Sequence, residues 1–338
     1  MRRPDRGYEA IQGFSSIYKC RGEEYLETAE RRASKITYRE LFTSHPSTFG
    51  GTQRTYEESD YIVLGVPFDA TSTYRVGARF APLAVREASL NIETYSFRSE
   101  VDFEDLTIHD LGDLHVTGSA EETLRRLESV VVEVLDSRKV PVLIGGEHTI
   151  TLGAVRALRA ACGSEGNLTV LSLDAHLDLR DEYMGQRLSH TTFMRRINEE
   201  AKPRIIEVGV RAACREEIRY AEDSGIRIFT ALEVMRRGPR DVAEQIRGIL
   251  KGCRCTYLTI DMDVLDPAFA PAVQNPEPDG LTMHDLLEIL DGVCDRRVAA
   301  FDIVEVAPDY DEGVTSIAAA KIIFEVLCRL KKSGETDS

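Results

Sequence analysis

The residues of this chain best suited to hold a cation or move a proton gather in short stretches. Leu171-Ser172-Leu173-Asp174-Ala175-His176-Leu177-Asp178 spaces two carboxylates and an imidazole at i, i+2 and i+4. It continues an apolar, β-prone run that begins at Leu168. Side chains of an extended chain alternate faces, so Asp174, His176 and Asp178 would point the same way. At a buried strand end such groups repel and lose hydration unless something positive lies between them. A divalent cation meets that need; a solvated strand end followed by a polar loop is the plainer alternative. Asp261-Met262-Asp263 repeats the two-residue spacing after the run Thr256–Ile260, where an ordinary turn is again the alternative. Val140–Ile144 runs into Gly145-Gly146-Glu147-His148-Thr149, and two glycines permit a tight turn that aims His148 over a sheet edge. In Phe301-Asp302-Ile303-Val304-Glu305-Val306, Glu305 sits inside an apolar run, where a carboxylate requires a partner.

Taken together, His148, Asp174, His176, Asp178, Asp261 and Asp263 offer more oxygen than nitrogen and no thiolate. That donor set suits Mn²⁺ better than structural zinc. Six ligands exceed what one ion with room for substrate uses, so two ions sharing carboxylates fit better, and such a pair makes water acidic enough for hydrolysis at neutral pH.

The elements that must position these groups are legible as alternating runs. Strands are expected at Tyr61–Val66, Thr107–Asp110, Val140–Ile144, Leu168–Leu173, Ile205–Val210, Arg227–Phe229, Thr256–Ile260 and Ala299–Val306. Helices are expected at Ala120–Ser137, Ile150–Ala161, Glu216–Ser224, Pro239–Lys251, Met283–Val293 and Thr315–Lys331. Apolar residues at helical spacing mark these, as with Leu124, Leu127, Val131 and Val134. Continuous Val/Ile/Leu strands alternating with helices predict an α/β fold with a mostly parallel sheet covered on both faces. In such sheets ligands bind at the C-terminal strand ends, where all four polar clusters fall. Residues 1–57 are polar and read as an N-terminal arm, with a charged helix expected over Glu23–Lys35; residues 58–338 read as one domain.

With 338 residues, 43% of them hydrophobic, the chain can bury a large core. A net charge of −15 disfavours nucleic-acid and anionic-membrane partners and mildly attracts a cationic substrate. No apolar run reaches the roughly 18–20 residues of a membrane span, and no secretory h-region follows the N-terminus. Seven dispersed cysteines (Cys20, Cys162, Cys214, Cys253, Cys255, Cys294 and Cys328) therefore read as reduced thiols of a cytoplasmic protein. Cys253-Arg254-Cys255 is too little for a zinc site and reads as two small side chains on one face of a strand beginning.

Gly145–Thr149 (GGEHT), Ser172–Asp178 (SLDAHLD), Ser189–Phe193 (SHTTF), Thr259–Pro267 (TIDMDVLDP), Asn275–Leu281 (NPEPDGL) and Phe301–Pro308 (FDIVEVAP) occur in that order. As a set they resemble the ureohydrolase family of arginases, agmatinases and guanidinobutyrases. Gly65-Val66-Pro67-Phe68-Asp69 and Gly77-Ala78-Arg79-Phe80 look like its early signature, and Leu179-Arg180-Asp181-Glu182-Tyr183 is most similar to agmatinases. The resemblance implies a three-layer α/β/α fold, a homotrimer or homohexamer, and two Mn²⁺ per subunit. His148, Asp174, Asp178 and Asp261 would hold one ion, and His176, Asp174, Asp261 and Asp263 the other. It further implies attack of activated water on a guanidinium carbon, Asp178 passing a proton to the leaving amine, His190 shuttling protons to solvent, and Glu305 pairing with the guanidinium.

The chain departs from the family pattern at Glu147, in place of Asp, at Thr191, in place of Gly, and at Gln274 and Asn275 in the pocket loop. Family members differ at the substrate's far end. Asp181 and Glu182 favour an amine there, whereas Arg180 opposes one if it points inward; pairing of Arg180 with its acidic neighbours, or plain solvent exposure of all three loop residues, is the plainer alternative. Agmatine, giving putrescine and urea, is the expected substrate, with guanidinobutyrate and then arginine behind it. A related C–N hydrolysis, and a non-catalytic relative serving as a partner subunit, are the other readings.

Overall fold

The computed structural model describes residues 38, 42–44, 48–51, 53–162 and 167–336. The expected helix at Glu23–Lys35 lies outside them. The strands are β1 (Thr43–Ser44), β2 (Tyr61–Gly65), β3 (Tyr95–Ser96), β4 (Val101–Asp102), β5 (Ile108–Leu114), β6 (Val140–Ile144), β7 (Leu168–Leu173), β8 (Arg204–Val210), β9 (Arg227–Thr230), β10 (Cys255–Asp261) and β11 (Val298–Val304). The α-helices are α1 (Ala81–Ser89), α2 (Ala120–Asp136), α3 (Ile150–Cys162), α4 (Phe193–Ala201), α5 (Arg215–Asp223), α6 (Ala231–Arg237), α7 (Pro239–Leu250), α8 (Met283–Val293) and α9 (Val314–Thr336). Every expected strand and helix among the described residues forms, with ends within a few residues of expectation.

Nine of the described strands make one sheet in the order β1-β5-β2-β6-β11-β10-β7-β8-β9. All its pairings are parallel except that of β1 with β5. Alternation along the strands divides the core. Tyr61 and Val63 of β2, Leu171 and Leu173 of β7, and Phe301 and Ile303 of β11 join one apolar cluster with residues of α1, α7, α8 and α9. Ile62 and Leu64, Val170, and Ala300 join a second cluster on the other face, with residues of α2, α3 and α4. The result is a three-layer α/β/α fold with a mostly parallel sheet. For the site, the decisive fact is that β6, β11, β10 and β7 are consecutive neighbours. The four strands that run into polar clusters therefore deliver them side by side at one sheet edge.

Residues 42–57, assigned to the arm by sequence, include β1 and the buried Phe49, and the compact unit begins at Phe42. Helix α1 escapes the apolar pattern because its buried face carries Arg86, which is fully buried. The Arg86 guanidinium donates to both oxygens of Asp110 at 2.8 and 2.9 Å, to Asp113 Oδ1 at 2.5 Å and to the Gly112 carbonyl at 2.8 Å. Bidentate pairing of this kind makes a buried charge tolerable and ties α1 to β5.

The cysteines correct the expectation of reduced thiols throughout. Cys162, at the end of α3, and Cys255, at the start of β10, are joined in a disulfide across a Cα–Cα distance of 6.2 Å. The fold brings a helix end and a strand start within disulfide reach; a sequence separation of 93 residues gave no sign of it. Cys253 does not share a strand face with Cys255: it is buried in the preceding turn, its thiol 3.4 Å from the Asn167 carbonyl. No described helix is long and apolar enough to cross a membrane.

Arg86→Met leaves Asp110 buried without its cation. The expected cost is about 3–5 kcal/mol, the usual penalty for breaking a buried pair from one side. A denaturant midpoint equal to that of the unaltered protein would contradict the assigned role of Arg86.

Candidate metal centre and pocket

The turn after β6 explains its two glycines. A Cβ on Gly146 would lie 1.9 Å from the Phe68 carbonyl oxygen, and one on Gly145 2.6 Å from a Val304 methyl. Gly146 is required by the close approach of the Phe68 backbone and Gly145 by the Val304 and Ile150 side chains; Glu147 N–H bonds the Phe68 carbonyl at 2.7 Å and His148 comes over the sheet edge. His148 is buried, and its Nε2 lies 2.8 Å from Thr259 Oγ1 of β10. Thr151, Tyr257 and the buried Asp302 continue this polar support beneath it. With Nε2 engaged, Nδ1 is left facing the carboxylates, a second-layer device that fixes a ligating imidazole.

Three aspartates each give one oxygen to a backbone N–H and turn the other inward. Asp174 Oδ1 accepts from His176 N–H at 2.6 Å, and its Oδ2 lies 3.1 Å from His148 Nδ1. Asp261 Oδ1 accepts from Asp263 N–H at 2.8 Å, and its Oδ2 also lies 3.1 Å from His148 Nδ1. Asp263 Oδ1 accepts from Ala175 N–H at 3.1 Å, and its Oδ2 lies 3.0 Å from His176 Nδ1. Two groups result, His148/Asp174/Asp261 and Asp174/His176/Asp263, with ligand atoms in each within 4.8 Å of one another. Asp174 belongs to both. Asp178 lies at the margin, its Oδ2 3.6 Å from His148 Nδ1.

The convergence has a different local cause from the strand alternation expected. Strand β7 stops at Leu173, and Asp178 turns inward on a left-handed backbone with φ 50°. Asp263 sits in the single 3₁₀ turn Met262–Val264, which Asp261 caps. Glu305 is not within β11 but one residue beyond it, also left-handed at φ 68°. Left-handed backbone at a non-glycine residue costs about 1–3 kcal/mol and persists where surrounding structure enforces it. Glu305 Oε1 accepts from His148 N–H at 2.7 Å, whereas the buried Oε2 has no hydrogen-bond partner.

The electrostatics fit missing positive charge. Burial, then the neighbouring charges of Asp263 and Asp174, raises Asp261 well above the carboxylate range. Burial and the charge of Asp174 do the same to Asp178. Burial pushes Glu305 up to about 8. Burial opposes protonation of His148, yet its hydrogen bond to Asp174 and the nearby carboxylates raise it to about 9. The buried Glu305 Oε2, without a hydrogen-bond partner, and His148 Nδ1, 3.1 Å from both Asp174 Oδ2 and Asp261 Oδ2, suit a cation among them.

A pocket of about 260 Å³ is lined by Asp178, Asp261, Asp263, His176, Glu305 and His190. Arg180, Tyr183, Thr191, Cys214, Glu217 and Asn275 line it as well. Asp181 is turned away, bonded to Arg196 at 2.6 Å and Arg187 at 2.9 Å. Glu182 is exposed and absent from the lining. The residue facing the pocket from this loop is Arg180, stacked on the Tyr183 ring at 4.9 Å and 3.9 Å from Glu217. Gln274 is buried and bonded to Ser72 and to the Arg75 carbonyl; of the two departures in its loop only Asn275 joins the pocket lining. Sequence reasoning missed Thr71, Thr73 and Glu217. Thr71 and Thr73 follow β2, another parallel strand, so the C-terminal-end rule already pointed to them.

A parallel α/β/α sheet carrying a carboxylate–imidazole cluster at its C-terminal edge defines a candidate metallohydrolase. The chain belongs to the arginase family, whose model matches residues 59–328, and is a ureohydrolase of the agmatinase-like kind. It is 36% identical over 274 residues to an agmatinase of Pyrococcus horikoshii, covering 80% of this chain and 92% of that one. It is 34% identical to the N(1)-aminopropylagmatine ureohydrolase of Thermococcus kodakarensis, covering 82% and 93%. Among solved structures, the agmatine ureohydrolase of Thermoplasma volcanium superposes with a TM-score of 0.77 at 34% identity, covering 84% of this chain and 94% of that one.

Because His148, His176, Asp178 and Asp261 hold protons more tightly than usual in the ion-free cluster, loading cations displaces protons. Affinity for Mn²⁺ is expected to rise with pH towards about 9, where His148 loses its proton unaided. Calorimetry in buffers of different ionisation enthalpy reads the release; proton-neutral loading would contradict this electrostatic account.

Proposed function

We propose that the chain is a binuclear manganese hydrolase that cleaves a guanidino group to urea and an amine, with agmatine as substrate and putrescine as the amine. The observation carrying this reading is the pair of candidate ligand groups sharing Asp174, of which His176, Asp261 and Asp263 line the pocket. His148, Asp174, Asp178 and Asp261 would hold one ion, and His176, Asp174, Asp261 and Asp263 the other. Two such cations supply Lewis acidity that activates water near neutral pH.

The remaining work falls to the protein's own side chains. Glu305 turns a bare carboxylate oxygen into the pocket, and a carboxylate matches the planar donor fork of a guanidinium. Asp178 stands where it can take a proton from the attacking water and hand it to the departing nitrogen, so that the C–N bond breaks to neutral urea and an ammonium. His190 lines the same pocket, and burial followed by the nearby charges of His148 and His176 lowers it to about 4. It is thus a neutral imidazole at pH 7, able to accept a proton and release it outward.

The agmatine reading is supported by the names of the relatives and by a net charge of −15, which favours cations. A second reading, an ω-guanidino acid, is favoured by Arg180, a cation lining the pocket whose contact with Glu217 is a long 3.9 Å. We propose assembly as a homotrimer or homohexamer, in keeping with exposed apolar side chains such as Tyr74, Phe80 and Phe97.

Urea release from agmatine, 4-guanidinobutyrate, arginine and guanidine, with and without chelator and added Mn²⁺, tests the proposal. Agmatine is expected to be best, and failure of all four would overturn it. Glu305→Gln is expected to lower kcat/KM about a hundredfold, the scale of losing one preorganised electrostatic contact. Arg180→Met separates the two readings: KM for the guanidino acid rises about tenfold or more if Arg180 grips a carboxylate, whereas agmatine turnover holds or improves.

A further inference from the structure

Behind His190 lies a buried polar chain that neither the metal ligands nor the pocket requires. Glu147 is fully buried, and its carboxylate accepts from donors of Thr71 and Thr149, with the Ser72 hydroxyl farther off at 3.5 Å. Its Oε2 accepts from Thr71 N–H at 2.7 Å. Its Oε1 accepts from the Thr149 hydroxyl at 2.5 Å and from the Thr71 hydroxyl. The methylene that distinguishes Glu from Asp provides the reach to Thr71, which belongs to the loop after β2 and lies 76 residues away in sequence. Thr71 in turn touches His190 twice. Its Oγ1 accepts from His190 N–H at 3.1 Å and lies 3.2 Å from His190 Nδ1. The other ring nitrogen, Nε2, lies 3.2 Å from Thr73 Oγ1, and both His190 and Thr73 line the pocket.

A hydroxyl has one proton to give. Thr71 Oγ1 is hydrogen-bonded to Glu147 Oε1, and with Glu147 as the carboxylate the Thr71 proton goes there, so towards His190 the Thr71 oxygen accepts. Nδ1 must then carry the imidazole proton, and Nε2 presents its lone pair to the pocket side. Which ring nitrogen is protonated decides which one can take up a proton next. We propose that Glu147, acting through Thr71, is a positioning residue that sets the tautomer and orientation of His190 so that Nε2 is the proton-accepting atom. This rests on the reading of His190 as the proton carrier of the hydrolase. Glu147 itself touches no reacting atom.

Two substitutions probe the chain at different links. Glu147→Gln offers an amide that can donate to Thr71, freeing the Thr71 proton for Nδ1 and inverting the tautomer. Thr71→Val removes the link, whereas Thr71→Ser keeps a hydroxyl. With Mn²⁺-loaded full-length protein, E147Q and T71V are expected to lower kcat about tenfold or more, within the range that general acid–base catalysis supplies. KM is expected to stay within about twofold, and T71S to restore most of kcat. In a His190→Asn background, E147Q and T71V are expected to cost nothing further, the non-additivity of residues acting through one group. Loss in KM, or an equal loss in the H190N background, would overturn the proposal. If E147Q does not fold, the T71V and T71S pair decides alone. Independently of turnover, ¹⁵N spectra of histidine-labelled, diamagnetic zinc-loaded protein, assigned by difference from H190N, report the tautomer. A protonated Nδ1 in the unaltered chain is expected, and a protonated Nε2 would overturn the inference. Absence of urea release from every panel compound would instead sink the functional reading and leave the tautomer result standing.

Discussion

The constraint on which this structure depends is electrostatic. Asp174, Asp178, Asp261, Asp263 and Glu305 are all buried close together, with the imidazoles of His148, His176 and His190 nearby. Carboxylates packed so closely away from water cannot all be ionised without compensating positive charge. Burial and mutual repulsion raise Asp261, Asp178 and Glu305 above the carboxylate range for this reason. A site that needs added positive charge to exist in its ionised form is already most of the way to being a cation site. It also attracts a substrate whose reacting group is a planar cation.

The fold makes this concentration of charge affordable by placing it where backbone donors are abundant. Strands β6, β11, β10 and β7 end together, and the turns beyond them expose N–H groups of Ala175, His176, Asp263 and His148 that each hold one carboxylate oxygen. One oxygen of each carboxylate is thereby fixed and the other left to face the centre. Left-handed backbone at Asp178 and Glu305 and close approach at Gly146 mark where the chain gives up local comfort for aim. The disulfide joins the end of α3 to the start of β10, at the opposite end of that strand from Asp261, away from the chemistry.

Much of this was legible in the sequence because the relevant signals are local. Buried parallel strands are continuous apolar runs, so β6 and β7 were found with their observed ends. The two candidate ligand groups were legible because D-x-H-x-D and D-x-D put unusual residues immediately after such runs. Two-residue strands such as β1, β3 and β4 depend on backbone pairing and leave no side-chain pattern. Helix α1 was hidden by an arginine on its buried face, whose compensating aspartates lie 24 and 27 residues away. The loop after Asp178 was legible only in part, for the same reason: Glu182 is exposed as the plainer reading has it, whereas Arg180 lines the pocket. Composition shows two acids there, but Arg195 and Arg196 of α4 turn Asp181 outward and leave Arg180 facing the pocket. The link from Glu147 through Thr71 to His190 joins three separate segments, and no spacing rule announces it.

The most direct measurement of the central claim is anomalous X-ray scattering from crystals of the Mn²⁺-loaded protein. The account predicts two manganese peaks flanking Asp174, one on the His148 side and one on the His176 side. A single peak, or none between these residues, would contradict it.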